Sequence, residues 1–484
     1  MPHFRLLPIA ALLALAACDL GPDYARPALE IPAAFRATTA SAAQAWPTPD
    51  WWRAFGSPEL DHLIADARAN NQDLAAAAAR VVQADAQAAI AGAPLLPSVS
   101  ATASGTYSRT GSSRRGGLVG IDAAGNPIVA GGSHYTDSRQ YSLQANVSYE
   151  ADFWGKNRAT FQSAQAAALA SRFDQETVAL TVVTAVATTY FEALGAADRL
   201  TVAQRNLASA QETLQVFRVR VEVGTATALD IAQQEALVAG EAAQIPAFRS
   251  QYEQQVIALG ILVGRPPEDI HITANTLATL PTPTVGGGLP SELLTRRPDV
   301  ANAEATLVSQ NGNVRAARAD FFPSIELTTA GGIESLALST LTGPGSLVLS
   351  VAASATQTIF DNGLKQGTLD EAKGRFAELI ADYRQAVLQA FTDVDTALVA
   401  VRYAAEQVTL ERQAVAVAQR AADIARAQLA AGTVDITVVL NTQTTLFSDQ
   451  DALAQARLVH FQALITLYKA LGGGWKQPGA SGTS

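Results

Sequence analysis

Two stretches of this 484-residue chain contain no proline and are much longer than an ordinary globular helix. They are Lys156 to Val223, with 68 residues, and Asn362 to Ala431, with 70. In the second, apolar residues recur in alternating steps of four and three from Phe376 to Leu429, and Glu411 is the one exception. A sustained period of about 3.5 residues is typical of helices in a left-handed supercoil. We therefore predict two helices, each about 100 Å long at a rise of 1.5 Å per residue.

The chain is also an internal duplication. Residues of one type recur at a fixed offset of 226 positions or, further along, of 208 positions. The pairs at 226 are Asp73 with Asp299, Pro97 with Pro323 and Gly105 with Gly331, and the pairs at 208 are Gly155 with Gly363, Gly224-Thr225 with Gly432-Thr433 and Gly264 with Gly472. Fixed offsets indicate two copies of one structural unit. The first copy has 18 additional residues between Gly105 and Gly155, which is the difference between the offsets.

Each copy contains two segments in which apolar and polar residues alternate, a pattern typical of β-strands with one apolar face. These segments are residues 99–107, 141–153, 325–333 and 347–355. Strands of about 10 residues fit the wall of a transmembrane β-barrel. Aromatic residues near the strand ends favour this interpretation, because outer-membrane barrels carry aromatic girdles at the lipid interface. They are Tyr107, Tyr141, Phe153, Trp154, Phe321, Phe322 and Phe360.

The N-terminus has the order of a secretory signal, with Arg5 before an apolar stretch that ends in small residues. Leu15-Ala16-Ala17-Cys18 resembles a bacterial lipobox, so we predict cleavage after residue 17 and lipid on Cys18, the only cysteine. Acyl chains contribute about 0.8 kcal/mol per buried methylene, which makes a multiply acylated cysteine a stable membrane anchor. Asp19 resembles an inner-membrane retention signal of some bacteria, so the final membrane depends on the rest of the chain.

The composition argues against several classes of function. One cysteine cannot form a disulfide within the chain, and a net charge of −10 without a basic block disfavours nucleic-acid binding. The five histidines are dispersed, and no pair has metal-ligand spacing. No phosphate-binding Gly-Lys-Ser/Thr loop or nucleophile elbow is present in the sequence. We therefore expect no enzyme activity, no metal and no cofactor apart from the covalent lipid.

Four strands are too few for a transmembrane barrel, since about eight is the minimum and lipid tolerates no unpaired strand edge. Other copies of the chain must therefore complete the wall. The segment from about Arg109 to Arg139 is predicted to be a long loop, and long loops of outer-membrane barrels face outside. The helices then project into the periplasm. These parts predict a conduit through the outer membrane and toward the inner membrane.

Several motifs resemble those of the TolC-like outer-membrane factors, closest to the OprM/NodT type of efflux lipoprotein. They are Gly21-Pro22-Asp23-Tyr24 after Cys18, Trp51-Trp52 with Phe55, Arg296-Arg297-Pro298-Asp299, Ile359-Phe360-Asp361-Asn362-Gly363, and Leu467 to Trp475. The resemblance implies a mainly α fold with β-strands, in which a homotrimer forms a twelve-stranded β-barrel in outer-membrane lipid and a periplasmic α-helical barrel. It also implies a periplasmic adaptor (membrane fusion) protein and an inner-membrane pump, usually of the resistance-nodulation-division type, as partners. The duct itself would be passive and would carry drugs or other small toxic compounds.

We predict the following organisation: a signal peptide at 1–17, an N-terminal anchor and equatorial segment at 18–60, a first repeat at 61–273, a linker at 274–290, a second repeat at 291–474 and a C-terminal tail at 475–484. Each repeat contains a helix, a strand pair, a long helix and a returning helix. The linker is uncharged and rich in Pro, Gly and Thr.

The gate of such a duct is expected where the long helices turn back. The candidate gate residues are Glu222, Asp230, Asp423, Arg426 and Asp435, and the candidate adaptor-docking turns are Gly224, Thr225, Gly432 and Thr433. In a trimer each inward carboxylate forms a ring of three acids, which favours cations. For any single pair, an exposed helical ion pair such as Asp423 with Arg426 is the simpler interpretation.

Two other classes of protein share part of this pattern. A periplasmic coiled-coil adaptor lipoprotein has long helices after a lipobox, but it carries one helical hairpin and not two copies with paired strands. A surface coiled coil lacks the four alternating strands. The apolar stretch Thr177 to Phe191 also suggests a transmembrane helix, but it is too short and its apolar residues follow the supercoil pattern.

Overall fold

The structure is a computed structural model, and it describes residues 21, 24–36, 46–113, 117–130, 133–274, 276–286 and 288–477. The predicted signal peptide at 1–17 and the predicted lipidation site Cys18 lie outside the described residues. The helices longer than two turns are α1 (Pro58–Asn70), α2 (Gln72–Gly92), α3 (Lys156–Glu222), α4 (Ala228–Val263), α5 (Pro298–Ala319), α6 (Leu364–Ala430) and α7 (Ile436–Ala470). The strands are β1 (Ser98–Ser113), β2 (Gly117–Ile121), β3 (Pro127–Ala130), β4 (Ser133–Glu150), β5 (Ser324–Ser335) and β6 (Leu347–Thr356). The chain divides into two units, described separately below.

The first unit, the strand unit, comprises residues 1–25, 86–165 and 308–376. Its four-stranded antiparallel sheet has the order β1-β4-β5-β6. Both outer strands, β1 and β6, lack a second partner within the described part of the chain. Apolar side chains of β6 are exposed, with Leu347, Leu349 and Val351 at 80%, 75% and 79%. Open edges and an exposed apolar face both require cover from outside this chain.

The predicted loop from Arg109 to Arg139 is wrong in part. Strand β1 continues to Ser113, β4 starts at Ser133, and β2 and β3 form a separate two-stranded hairpin between them. Asp122 organises the β2–β3 turn, since its carboxylate accepts hydrogen bonds from the backbone of Ala124 and Asn126 at 2.9 and 2.8 Å. Glycine-rich sequence obscured the strands, because glycine weakens the strand pattern that sequence inspection depends on.

At the helix-side end of the sheet, two of the predicted aromatic residues pack together, whereas Phe360 is 84% exposed. Trp154 stacks on Phe322 with ring centroids 4.9 Å apart, and its indole N–H donates to the carbonyl of Pro323 at 2.8 Å. Nearby, Lys156 pairs with Asp320 at 2.6 Å, and Lys365 donates to the Asp320 carbonyl. The pairing links the starts of α3 and α6 to the end of α5. The start of the long helix of each repeat is thus bonded to the same residue, Asp320.

The second unit, the helix unit, comprises residues 26–85, 166–307 and 377–484. Its main core is aromatic and joins the N-terminal segment to the C-terminal helix. Trp51 stacks on Tyr468 at 4.7 Å between ring centroids, and Phe55 packs against Phe191 at 5.0 Å. Phe55, Tyr190 and Phe191 are fully buried. Such aromatic pairs contribute about 0.5–1.5 kcal/mol beyond the burial of their area.

Three consecutive glycines follow α7 and thread through this core. Gly472, Gly473 and Gly474 all have positive φ. A Cβ at Gly472 would come within 1.8 Å of the Arg296 carbonyl oxygen, and one at Gly474 within 2.3 Å of the Thr48 backbone. No other residue fits this passage. The segment therefore holds the C-terminus against the N-terminal segment.

Arg297 is a buried arginine of the helix unit that pairs with two acids. Its guanidinium donates to both carboxylate oxygens of Asp299, to Asp393 at 2.9 Å and to the Ala470 carbonyl at 3.2 Å. Only 10% of its side chain is exposed. A bidentate, buried arginine of this kind fixes geometry, and removal of one partner leaves an uncompensated charge. It ties α5, α6 and α7 together.

Part of α3 is long and apolar enough to cross a membrane by length and composition, but 61% of that stretch is buried within the chain. Val182, Val183 and Val186 of this stretch belong to the aromatic core. The apolar residues of α3 therefore pack against neighbouring helices here.

Candidate functional site

The first turn between long helices connects α3 to α4 and is closed by backbone bonds. Gly224 adopts a left-handed conformation with φ 75°. Thr225 donates twice to the Arg220 carbonyl, from its amide at 2.8 Å and from its hydroxyl at 3.1 Å. Glycine is favoured at this position because a side chain there costs about 1–2 kcal/mol.

The second turn connects α6 to α7 and repeats this geometry. Gly432 has φ 71°. Thr433 donates to the Gln428 carbonyl from its amide at 3.0 Å and from its hydroxyl at 3.1 Å. The Gly-Thr pairs that the repeat pattern singled out therefore end both long helices in the same way.

Beneath the turns, the four helices share a small apolar cluster. It contains residues of α3, α6 and α7 with α4 side chains packed against it: Phe217, Ala425, Leu429, Ile436, Val439 and Leu440, flanked by Ile231 and Leu237. Arg220 adds a polar link, since its guanidinium donates to the Leu429 carbonyl at the end of α6. The two helix ends are thus held together by packing and by one charge-assisted hydrogen bond.

The gate candidates Asp230 and Asp435 differ in their bonding. Asp230 completes a capping box with Thr227, because its carboxylate accepts the Thr227 amide and hydroxyl, both at 2.7 Å. Asp435 occupies the cap position of α7 but makes no side-chain cap bond. The carboxylate of Asp230 is therefore engaged in helix capping, whereas that of Asp435 is exposed at the turn.

Glu222, Asp423 and Arg426 are exposed, and among the described residues only Asp423 and Arg426 pair with each other. Glu222 is the last residue of α3 and forms no hydrogen bond or ion pair with the described residues. Asp423 accepts a hydrogen bond from Gln419 at 3.0 Å and lies 3.6 Å from Arg426. This exposed pair, spaced i,i+3, is the simple surface arrangement considered above and contributes little to stability.

Sequence inspection missed three buried polar residues, which lie within the long helices and not in the turns. Gln234 donates to the Ala210 carbonyl at 2.8 Å, and Gln443 donates to the Thr213 hydroxyl at 2.7 Å. Each leaves its own amide oxygen unpaired. Burial raises the pKa of Glu241, and its hydrogen bonds with Asn206 and Gln244 partly offset this rise. Polar residues on the buried faces of long helices were the available signal, because an otherwise apolar stripe seldom contains them.

Among the residues that the structure describes, no group of three or more His, Cys, Asp or Glu side chains is arranged to hold a metal ion. Within one chain, the site consists of helix ends and single charged side chains. These charges can form rings only if the chain assembles with copies of itself.

Residues 63–265 and 289–473 match the outer membrane efflux protein family. The chain is 38% identical to the pyoverdine export outer membrane protein OpmQ of Pseudomonas aeruginosa, over 97% of this chain and 96% of that protein. It is 29% identical to the cation efflux system protein CusC of Escherichia coli, over 99% of this chain and all of that protein.

The fold matches a solved channel as well. The open state of the MtrE outer membrane channel of Neisseria gonorrhoeae superposes with a TM-score of 0.84, at 30% identity, over 95% of this chain and 99% of that one. The match covers both repeats, which an adaptor with one helical hairpin does not have, so the adaptor alternative is wrong. The chain belongs to the outer membrane efflux protein family and is an efflux channel of the Gram-negative outer membrane, with its helices in the periplasm.

Proposed function

We propose that three copies of this chain form a passive, gated duct that carries drugs or other small toxic compounds from a periplasmic adaptor and an inner-membrane pump, of the resistance-nodulation-division type, to the exterior. The open edges of the sheet carry this proposal. Four strands whose outer members β1 and β6 have no second partner within the described chain cannot stand alone in lipid. Three such sheets supply twelve strands, enough for a closed barrel.

A row of exposed apolar residues on α6 supports the assembly. Tyr403, Leu410, Val417 and Ile424 recur every seven residues and are 57%, 57%, 56% and 57% exposed. They lie beside the buried residues Ala404, Val408 and Ala418 but on a second face. A helix with two apolar seams packs between two neighbours. In this proposal the second neighbour belongs to another copy of the chain.

Native mass spectrometry of the detergent-extracted protein tests the assembly. We expect a mass of three chains for the parent and smaller species for a Leu410→Glu/Val417→Glu double variant, because each glutamate would be desolvated in the seam. Ala416→Glu, an exposed position on the same helix about 100° or more around the axis from Leu410 and Val417, is the control and should remain a trimer. A parent that stays a single chain, or a double variant as trimeric as the control, contradicts the proposal.

The gate is proposed at the ends of the long helices, where Glu222, Asp423, Arg426 and Asp435 are exposed and Asp230 caps α4. Charge reversal of Asp435 or Asp423 to lysine should raise single-channel conductance in planar bilayers, because a lysine would repel an arginine that clamps the carboxylate in a closed gate. Arg426 makes such a contact with Asp423 at 3.6 Å within one chain. Glu371→Lys, an exposed acid near the start of α6, is the control. Unchanged conductance for every reversed acid near the turns removes the gate assignment.

The turns themselves are proposed to dock the adaptor. Gly224, Thr225, Gly432 and Thr433 are exposed at both turns, and the paired turns offer six similar contacts in a trimer. A photoreactive residue at Thr225 or Thr433 should crosslink in cells to a periplasmic coiled-coil protein. The same probe at Gln413 should not, and equal crosslinking at both sites would contradict docking at the turns.

Lipid attachment at Cys18 is the last part of the proposal and rests on the lipobox. Cells fed labelled palmitate should label the parent protein, and Cys18→Ser should abolish the label. Labelling of the serine variant would place the lipid elsewhere.

The selection of the compound is proposed to rest with the pump. The two relatives, a pyoverdine exporter and a cation efflux protein, are named for different compounds, which suits a duct that does not select. Deletion of the gene, followed by comparison of drug and metal sensitivity, would identify the class.

A further inference from the structure

The helix unit contains a cavity of 650 Å³ that the proposed duct does not require. Three helices line it, and the lining residues of each helix share one face because they are three, four or seven positions apart. They are Asp198, Val202, Arg205 and Ser209 on α3, Gln419 and Arg426 on α6, and Gln450, Leu453 and Arg457 on α7. Its volume falls within the range of about 300–1,000 Å³ typical of small-molecule sites.

The charges that line this cavity are predominantly positive. Arg205, Arg426 and Arg457 face a single carboxylate, Asp198. That carboxylate is already engaged, because Asp198 accepts the backbone N–H of Leu277 at 2.9 Å. Arg205 forms no ion pair or hydrogen bond with the described residues, and Arg426 has only its 3.6 Å contact with Asp423. The cavity therefore carries more positive than negative charge, with three arginines against Asp198 in the lining and Asp423 beside Arg426.

Arg457 is the strongest indication of a ligand. Its Nε is buried and has no hydrogen-bond partner among the described residues. Burial lowers the pKa of this guanidinium, the charge of Arg412 on α6 lowers it further, and the Asp198 carboxylate partly opposes both effects. A buried donor on a charged group is costly to leave unpaired, by about 1–3 kcal/mol or more. An acceptor that enters the cavity would remove this cost.

We propose that this cavity binds a free small anion with several oxygen acceptors, such as an oxyanion or a polycarboxylate, with Arg457 at its inner wall and Arg205 and Arg426 at its sides. Guanidinium groups suit such ligands because their planar donors match two oxygens at once. Thr201, Ser209, Gln419 and Gln450 provide neutral polar groups around them. The binding site shares Arg426 with the proposed gate, and its other arginines, Arg205 and Arg457, belong to neither the gate nor the strand edges.

Isothermal titration calorimetry of the detergent-extracted protein tests this proposal with sulfate, inorganic phosphate and citrate as probes, at constant ionic strength in chloride. We expect saturable binding of at least one probe, with one site per chain. Arg457→Gln should weaken it by about tenfold or more and Arg205→Gln less, since a hydrogen bond to a charged group is lost. Arg420→Gln, an exposed arginine of α6 that does not line the cavity, should change affinity by less than about twofold.

Arg457→Lys keeps the charge and should retain partial affinity, so it carries the test if the glutamine variant does not fold. Absence of saturable binding for all three anions overturns the proposal, as does equal affinity for the parent and Arg457→Gln. If no free anion binds but Arg457→Gln disrupts the oligomer, the acceptor is a carboxylate of another copy and the proposal is also wrong. Single-channel recording of the parent in the same preparation separates these outcomes from failure of the duct itself.

Discussion

The two turns at the ends of the long helices have the same backbone and different side chains. Gly224 and Gly432 share a left-handed φ of 75° and 71°, and the following threonines bond their helices alike. Beyond that point the turns differ: Arg220 corresponds to Gln428, and the capping box of Thr227 and Asp230 corresponds to Asp435 without a cap bond. Duplication has kept the part that reverses the chain and has let the polar contacts diverge.

The largest effect should come from the shared part. Alanine at Gly224 or Gly432 would meet no atom within 4 Å, so its cost is that of the left-handed backbone alone, about 1–2 kcal/mol. Hydrogen exchange of nearby amides should then accelerate about 5-fold to 30-fold, equally at both turns. Gly240→Ala, inside α4 and equally uncrowded, should slow exchange because alanine favours the helix. Unequal effects at the two turns would show that their backbones are not equivalent.

The next largest effect on exchange is expected for Arg220→Gln. This change places at the first turn the glutamine that the second turn has at the corresponding position, Gln428. Loss of the bond to the Leu429 carbonyl should cost about 1 kcal/mol and accelerate exchange about fivefold at the ends of both α3 and α6. Arg218→Gln is the control, because its ion pair with Glu235 at 3.0 Å is exposed and such pairs contribute little. Equal exchange in the two variants would mean that Arg220 does not couple the helix ends.

A smaller change is expected for Thr227→Ala. It removes the hydroxyl of the capping box, worth about 0.5–1 kcal/mol at an exposed helix start, and should accelerate exchange in the first turn of α4 about twofold to fivefold. Measurement at the first turn of α7 in the same protein provides the internal reference, where no change is expected. If α7 responds as strongly as α4, the effect is not local capping.

The smallest effect should follow Asp435→Ala. Because Asp435 makes no side-chain cap bond, only its favourable charge at the helix N-terminus is lost, worth a few tenths of a kcal/mol. Exchange at the start of α7 should change by less than about twofold. A change as large as that of Thr227→Ala would show that Asp435 caps α7 in solution and that the two turns are more alike than this structure indicates.

Much of this fold could be predicted from the sequence, because its main elements follow strong periodic patterns. The ends of α3 were expected at Lys156 and Val223 and lie at Lys156 and Glu222, since a glycine and a Gly-Thr pair flank the run. The four main strands were found by their alternation. The seven-residue pattern of α6 also identified Tyr383, Val387 and Val394 as buried.

The rest depended on contacts between distant residues. Nothing local indicates that Gly472 must pass the Arg296 carbonyl, or that Arg297 meets Asp393 and Ala470. The arginines of the cavity lie on three helices, and only the packing of α3, α6 and α7 brings them to one wall. The acids near the turns could be named from sequence, but their division into a helix cap and a free carboxylate could not, because that depends on side-chain geometry.

The packing of Trp51 against Tyr468 and against the three glycines after α7 has a consequence for biogenesis. The aromatic rings that seal the helix unit come from positions more than 400 residues apart, so a nascent chain cannot bury them until its last segment has been exported. Contacts between such distant positions form slowly. A truncated product would leave its tryptophans exposed to solvent and its helices without these contacts. Such a product would be open to periplasmic proteases, and incomplete subunits would not enter the assembled channel.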